Sequence, residues 1–196
     1  MRTVTITAFV AISVVSLALA GCKNPAEGKA EAKTGQARAV KKGTLEGDTE
    51  KAVLSSDTTK IPWKGSKVTG SHHGSFAKFS GSIEAEGGDP NKARITVDFD
   101  VASITSDHPK LTGHLKSKDF FDVANHPKAK FVSTSIKAGG DKGASHTITG
   151  NLTLRGVTKS ITFPATVKIT DSHVHANAEF WIDRNKWGVS YKGMAN

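Results

Sequence analysis

The sequence predicts an all-β fold, an antiparallel barrel with one short helical insertion. Three observations predict it. Apolar and polar residues alternate with period two through one segment after another. Clusters of Gly, Asp, Asn and Pro separate those segments by a few residues. The alternation breaks once, between Thr105 and Pro127. Successive strand side chains point to opposite faces, so a segment that alternates is half buried and half wet.

The segments can be taken in order. Trp63 to Val68, His72 to Phe79 and Ser82 to Glu86 read as short strands. ARITVDFDVASI sets Ile95, Val97, Phe99 and Val101 against Thr96, Asp98 and Asp100. HTITGNLTLRG sets Ile148, Gly150, Leu152 and Leu154 against threonines and Asn151. ITFPATVKITD places Ile161, Phe163, Ala165, Val167 and Ile169 together, and HVHANAEFWID does the same for Val174, Ala176, Ala178, Phe180 and Ile182. Pro164 inside its strand predicts an edge or a bulge, because it cannot donate to a ladder. The links GGDPN, AGGDKG, RGVTKS and TDSH supply the backbone angles of tight reversals.

The interruption reads as a connector. Ser106 or Asp107 can cap a helix, Pro109 suits its first turn, and Lys110 to Lys116 gives about two turns. HLKSKDFFDVANHPKAKF follows, and after Pro127 the chain reads as a strand again. Adjacent Phe120 and Phe121 in a tight turn project about 100° apart. One can seal a barrel end while the other packs beneath the helix. Asp119 and Asp122 can accept from backbone donors and tighten the turn.

The N-terminal third is different. Residues 1–21 have an early Arg2, an apolar stretch and small residues before Cys22, the build of a secretory signal peptide that stands outside the fold. The ending Leu-Ala-Gly-Cys resembles the lipobox of bacterial lipoproteins, which makes Cys22 the lipidation site; the alternative is a short membrane anchor that stays in place. Lys23 rather than aspartate after the cysteine points to the outer membrane, facing the periplasm. Residues 22–51 are rich in Ala, Gly, Lys and Glu and read as a flexible tether of roughly 30 Å root-mean-square span. The barrel domain is then 52–196, with 19 Lys+Arg against 13 Asp+Glu. The bases are scattered among acids, which argues against nucleic-acid binding.

WKGSKVTGSHHGSF, TGHLKSKDFFDVANHPKAKF and GNLTLRGVTKSITFPATV are together similar to the YceI-like lipid-binding family, over roughly residues 52–192. The resemblance implies a lipocalin-like, extended antiparallel barrel in the periplasm. Its interior would take a long isoprenoid chain, a polyprenyl lipid or a quinone tail, with no catalytic residues. Candidate ligand contacts are the inward-facing Phe99, Val101, Leu152, Leu154, Phe163, Val167 and Phe180, with Leu115, Phe120, Phe121 and Phe131 around the connector. For the two adjacent phenylalanines the plainer reading is that of core plugs, because aromatics dominate ordinary cores. Gly150, Ala165, Ala176 and Ala178 are expected to leave room inside. Family members run on to one more apolar strand, whereas no alternating segment follows Tyr191 here, so the closing strand is expected to be missing and two edges exposed.

Other chemistries find less support. His72 and His73 face opposite ways on a strand, and the His173 and His175 pair lacks the further ligands of a metal site. There is no G-x-S-x-G elbow and no glycine loop in a phosphate-binding setting. The expected partners are an isoprenoid lipid, the membrane through the anchor and, in a homodimer, a second copy of the chain. No cofactor is expected. The competing reading is an envelope interaction module whose barrel is packed solid and binds no lipid.

Overall fold

The computed structural model describes residues 8–14, 28–40, 49–67, 70–169 and 174–190. The strands are β1 (Ala8–Val14), β2 (Ala30–Glu31), β3 (Lys33–Gln36), β4 (Thr49–Ser55), β5 (Pro62–Lys67), β6 (Gly70–Phe76), β7 (Phe79–Glu86), β8 (Ala93–Asp100), β9 (Ile104–Ser106), β10 (Lys128–Ala138), β11 (His146–Leu154), β12 (Val157–Ile169) and β13 (Val174–Ile182), with one helix, α1 (Pro109–Lys116), before β10. Among the described residues they form one sheet in the order β4-β7-β8-β10-β11-β12-β13-β1-β5-β6-β9, with β2 on β13 and β3 on β12. The outermost strands of that order, β4 and β9, do not pair with each other, so the sheet is not closed.

The predicted meander is present. β10, β11, β12 and β13 pair antiparallel in sequence order. β11 and β12 are joined by the two-residue turn Arg155-Gly156, both at positive φ (46° and 73°). That is the turn whose twist matches a hairpin. Pro164 lies where β12 changes partner. On one side β3 pairs as far as Thr162 and β13 begins at Thr166, so the missing N–H falls in the gap between two ladders. The stretch expected as one strand from His72 to Phe79 breaks at Ala77 and Lys78. There the backbone N–H of Ala77 donates to Ser103 as the chain crosses from β6 to β7.

The N-terminal third departs from expectation. β4 starts at Thr49, ahead of the expected domain start at 52. Its apolarity is faint, since only Ala52 and Leu54 are buried while Val53, in the opposite phase, is 61% exposed. Lys33–Gln36, expected as free tether, lines the edge of β12. Ala32 is buried and donates its N–H to Trp181. Backbone pairing to an edge needs no apolar side chains, so composition did not reveal it. Within the expected signal peptide, Ala8–Val14 forms a strand parallel to both β13 and β5. AFVAISV is apolar and aromatic or β-branched at several positions, which suits a place between two strands. Cys22 and His173 lie outside the described residues, as does everything after Ser190.

The helix is capped one residue after Asp107 and two after Ser106, the predicted caps. His108 occupies the N-cap without a side-chain bond. Ser106 instead hydrogen-bonds around His108, accepting from its N–H at 3.3 Å and donating to its carbonyl at 2.8 Å. Asp107 turns away to the sheet. Its two carboxylate oxygens lie 2.9 Å from His72 Nδ1 and 3.2 Å from His73 Nδ1. Although the two histidines are neighbours on β6, both reach this one acid.

Candidate functional site

Along each central strand the inward positions fall into layers, and the layers differ in size. At the closed end, Trp187 and Val189 are fully buried. The Trp187 indole donates to the Leu152 carbonyl at 2.9 Å. The connector packs against the same end. Phe120 and Phe121 stand ring to ring at 5.4 Å, Phe120 meets His114 edge-on at 5.9 Å, and the Arg184 guanidinium lies 4.7 Å above the Phe120 ring. Burial pulls the Arg184 guanidinium below its ordinary pKa, and the neighbouring Asp183 charge works the other way. Asp122 sits at φ 49°, and its carboxylate accepts from the Asn125 side-chain amide at 3.0 Å rather than from the expected backbone donor. Arg155 reaches across from the β11–β12 turn and donates to the Lys118 carbonyl at 2.9 Å and to the Gly188 carbonyl.

One layer up, the aromatic side chains form a row. Phe163 stacks on Phe180 with ring centroids 4.1 Å apart and meets Phe131 at 5.7 Å. Gly150 makes that row fit. A Cβ there would stand 2.4 Å from the Phe131 ring and 2.7 Å from the Val132 carbonyl oxygen. The space expected at Gly150 is therefore occupied by Phe131.

Above this row the interior opens. The inward residues become Ala52, Ile83, Ala85, Ala93, Ile95, Ile136, Ile148, Val167, Val174 and Ala176, and they line an apolar cleft partly open to solvent. Pro90, in the β7–β8 turn, borders the mouth, and Glu50 and Lys51 stand on its rim. Further along the same strands, from Ile148 to Gly150 and from Ala176 through Ala178 to Phe180, the interior is filled core.

The sequence-derived contacts are divided by this geometry. Val167 lines the cleft. Phe131, Phe163 and Phe180 are buried core residues whose rings pack on one another, and none of them lines the cleft. Phe99, Val101, Leu115, Leu152 and Leu154 are buried core residues deeper in the barrel, and Phe120 and Phe121 pack against that core from the connector. Sequence reasoning passed over the small and aliphatic wall residues Ile83, Ala85, Ile95, Ile136 and Ile148. Their signal is the phase of the alternation, which marks them as inward-facing. Among the described residues no group of three or more His, Cys, Asp or Glu side chains is placed to hold a metal.

Comparison with known proteins agrees with this architecture. A family profile described as YceI-like domain matches residues 47–196. The UPF0312 protein of Pseudomonas putida strain F1 is 45% identical over 107 residues, 54% of this chain and 55% of that protein. The UPF0312 protein of Pseudomonas fluorescens strain SBW25 is 44% identical over the same length. The chain thus spans about half the length of the curated relatives it matches. Among solved structures, the crystal structure of Burkholderia cenocepacia BcnA is similar with a TM-score of 0.54 and 28% identity, over 60% of this chain and 72% of that one. With the profile covering the whole described barrel from β4 onward, the chain belongs to the YceI-like family.

Proposed function

We propose that this protein is a non-catalytic carrier that holds an isoprenoid chain, of a polyprenyl lipid or a quinone, in the apolar cleft. The observation that carries the reading is the composition of the wall: eleven of the thirteen residues around the cleft are apolar, and the two charged ones stand at the rim. A polar solute would find no partners inside, whereas a hydrocarbon chain gains about 0.8 kcal/mol for each CH₂ taken out of water. Cys22 is the lipid anchor in this proposal, so that the anchored form lacks β1, and the carrier works in the cell envelope, at the outer membrane facing the periplasm. The support is the Leu-Ala-Gly-Cys ending of a signal-like segment.

The test is a titration of the purified protein with geraniol, farnesol, geranylgeraniol and solanesol, alongside the Ala176→Leu variant. Affinity should rise with chain length and level off once the cleft is filled. Ala176→Leu should weaken every member of the series, since it fills the cleft from its wall, while circular dichroism stays unchanged. Affinity that is flat with length and indifferent to Ala176→Leu would instead support the packed interaction module.

A further inference from the structure

β1 is held on both edges by strands that do not meet each other. It runs parallel to β13 in a continuous register, from Ala8 against Ala176 to Val14 against Ile182. On its other edge Ile12, Ser13 and Val14 stand against Trp63, Lys64 and Gly65 of β5, again in parallel. Among the described residues β13 and β5 are not paired, so β1 alone joins the strands from β4 to β13 to the group β5, β6 and β9. The two groups also touch through the core, where the Phe76 ring of β6 meets the Phe99 ring of β8 at 5.4 Å. The gap that β1 fills is therefore framed by packing that does not depend on β1.

Residues 8–14 belong to the segment that processing at Cys22 would remove. Their loss leaves β13 unpaired along Ala176–Ile182 and β5 unpaired along Trp63–Gly65. A row of unpaired N–H and C=O groups is a template for a strand of another chain. Peptides that add to a sheet edge draw their affinity from such main-chain bonds. Here two rows face one gap, and both run in the same direction. AFVAISV carries apolar residues in both phases of the alternation, the run typical of parallel strands.

We propose that the gap between β13 and β5 is a strand-acceptor site: in the processed protein it binds an extended, apolar segment of a partner polypeptide, laid parallel to β13 in the register that β1 shows. The partner is recognised by a short apolar or β-branched run free of proline, because each missing N–H would leave a ladder bond unmade. The proposal rests on the processing at Cys22 and is independent of what the cleft carries.

The test uses the full chain, made without membranes and carrying a protease site inserted after Gly21. Once the chain is cut and the fragment removed, a fluorescein-labelled peptide of residues 6–16 should bind, as read by anisotropy. The same peptide with Val10→Pro and Ile12→Pro should bind at least about tenfold more weakly, since two ladder donors are gone. Hydrogen exchange should show the protection of Ala176–Ile182 and Trp63–Gly65 falling on removal and returning with the labelled peptide. If the cut protein aggregates, the peptide should prevent it and the proline variant should not. No binding, equal binding of the proline variant, or protection that appears elsewhere, as for a peptide lodged in the cleft, would overturn the acceptor site. So would a cut protein that pairs with a second copy of itself and excludes the peptide. Protein recovered from the cell envelope with residues 1–21 still attached would overturn the processing reading instead, and leave the gap to β1.

Discussion

At the closed end of the barrel Trp187 is fully buried and its indole N–H is satisfied by Leu152. At the mouth the same inner face carries Ala52, Ala85, Ala93 and Ala176. The strands run through both regions, and period-two alternation selects the inner face in each. What differs is side-chain volume and capping. Large aromatics fill the narrow end, and the 184–189 turn and the connector cover it. The mouth has small and aliphatic walls with a single proline-bearing turn beside them. Alternation thus decides which residues face inward, and their size decides whether the interior is core or cleft.

The sharpest way to break this comparison is Trp187→Ala. It removes the plug of the filled end and leaves a cavity with nothing positioned to collapse into it, so unfolding free energy should fall by about 3–5 kcal/mol. Chemical denaturation would show it. A loss below about 1 kcal/mol would mean that the closed end is not packed as described.

Gly150→Ala is the next test, because it asks how rigid the aromatic row is. The new methyl would meet the Phe131 ring on one side and backbone on the other. The expected cost is about 1–3 kcal/mol, typical of overpacking, with a change in near-ultraviolet circular dichroism as Phe131 shifts. An unchanged stability would indicate a row that yields easily.

Asp107→Asn should have the smallest effect, and it probes the strap between β6 and the start of α1. Burial pushes the Asp107 carboxyl pKa up, but the His72 hydrogen bond, the His73 backbone N–H and the charges of both imidazoles outweigh it, and the net shift is downward. A carboxyl lowered in the folded state contributes stability above its unfolded pKa of about 3.9 and loses that contribution as the pH falls through its folded value. The thermal midpoints of wild type and Asp107→Asn should therefore differ slightly at neutral pH and converge below about pH 4. A gap that persists in acid would assign the residue a different role.

How much of this was readable beforehand follows from the kind of signal each element carries. β8, β11, β12 and β13 were legible because apolar side chains mark every second residue. The family motif around Phe120 and Phe121 was legible as a connector because its charges and turn residues break the period. β3 and β4 were not, since edge pairing through backbone bonds leaves little trace in Lys33–Gln36, and Val53 blurs the phase of Ala52 and Leu54. The N-cap was misplaced because Asp107 suits a cap but is drawn to two imidazoles from a distant strand, a contact no local pattern encodes. The cleft itself lay in the residues least conspicuous in the sequence, alanines and isoleucines near strand ends. Rings that looked like ligand contacts are buried core instead.

The short strand β2 has a geometric consequence for an anchored chain. Ala30 and Glu31 pair with Phe180 and Trp181, at the closed end of β13 and away from Val174 and Ala176 at the mouth. Cys22 precedes Ala30 by eight residues, a reach of at most about 28 Å when fully extended. A lipid on Cys22 would tether the barrel by its sealed end. In the proposed anchored form the mouth would then be the end of the barrel farther from the anchor along β13.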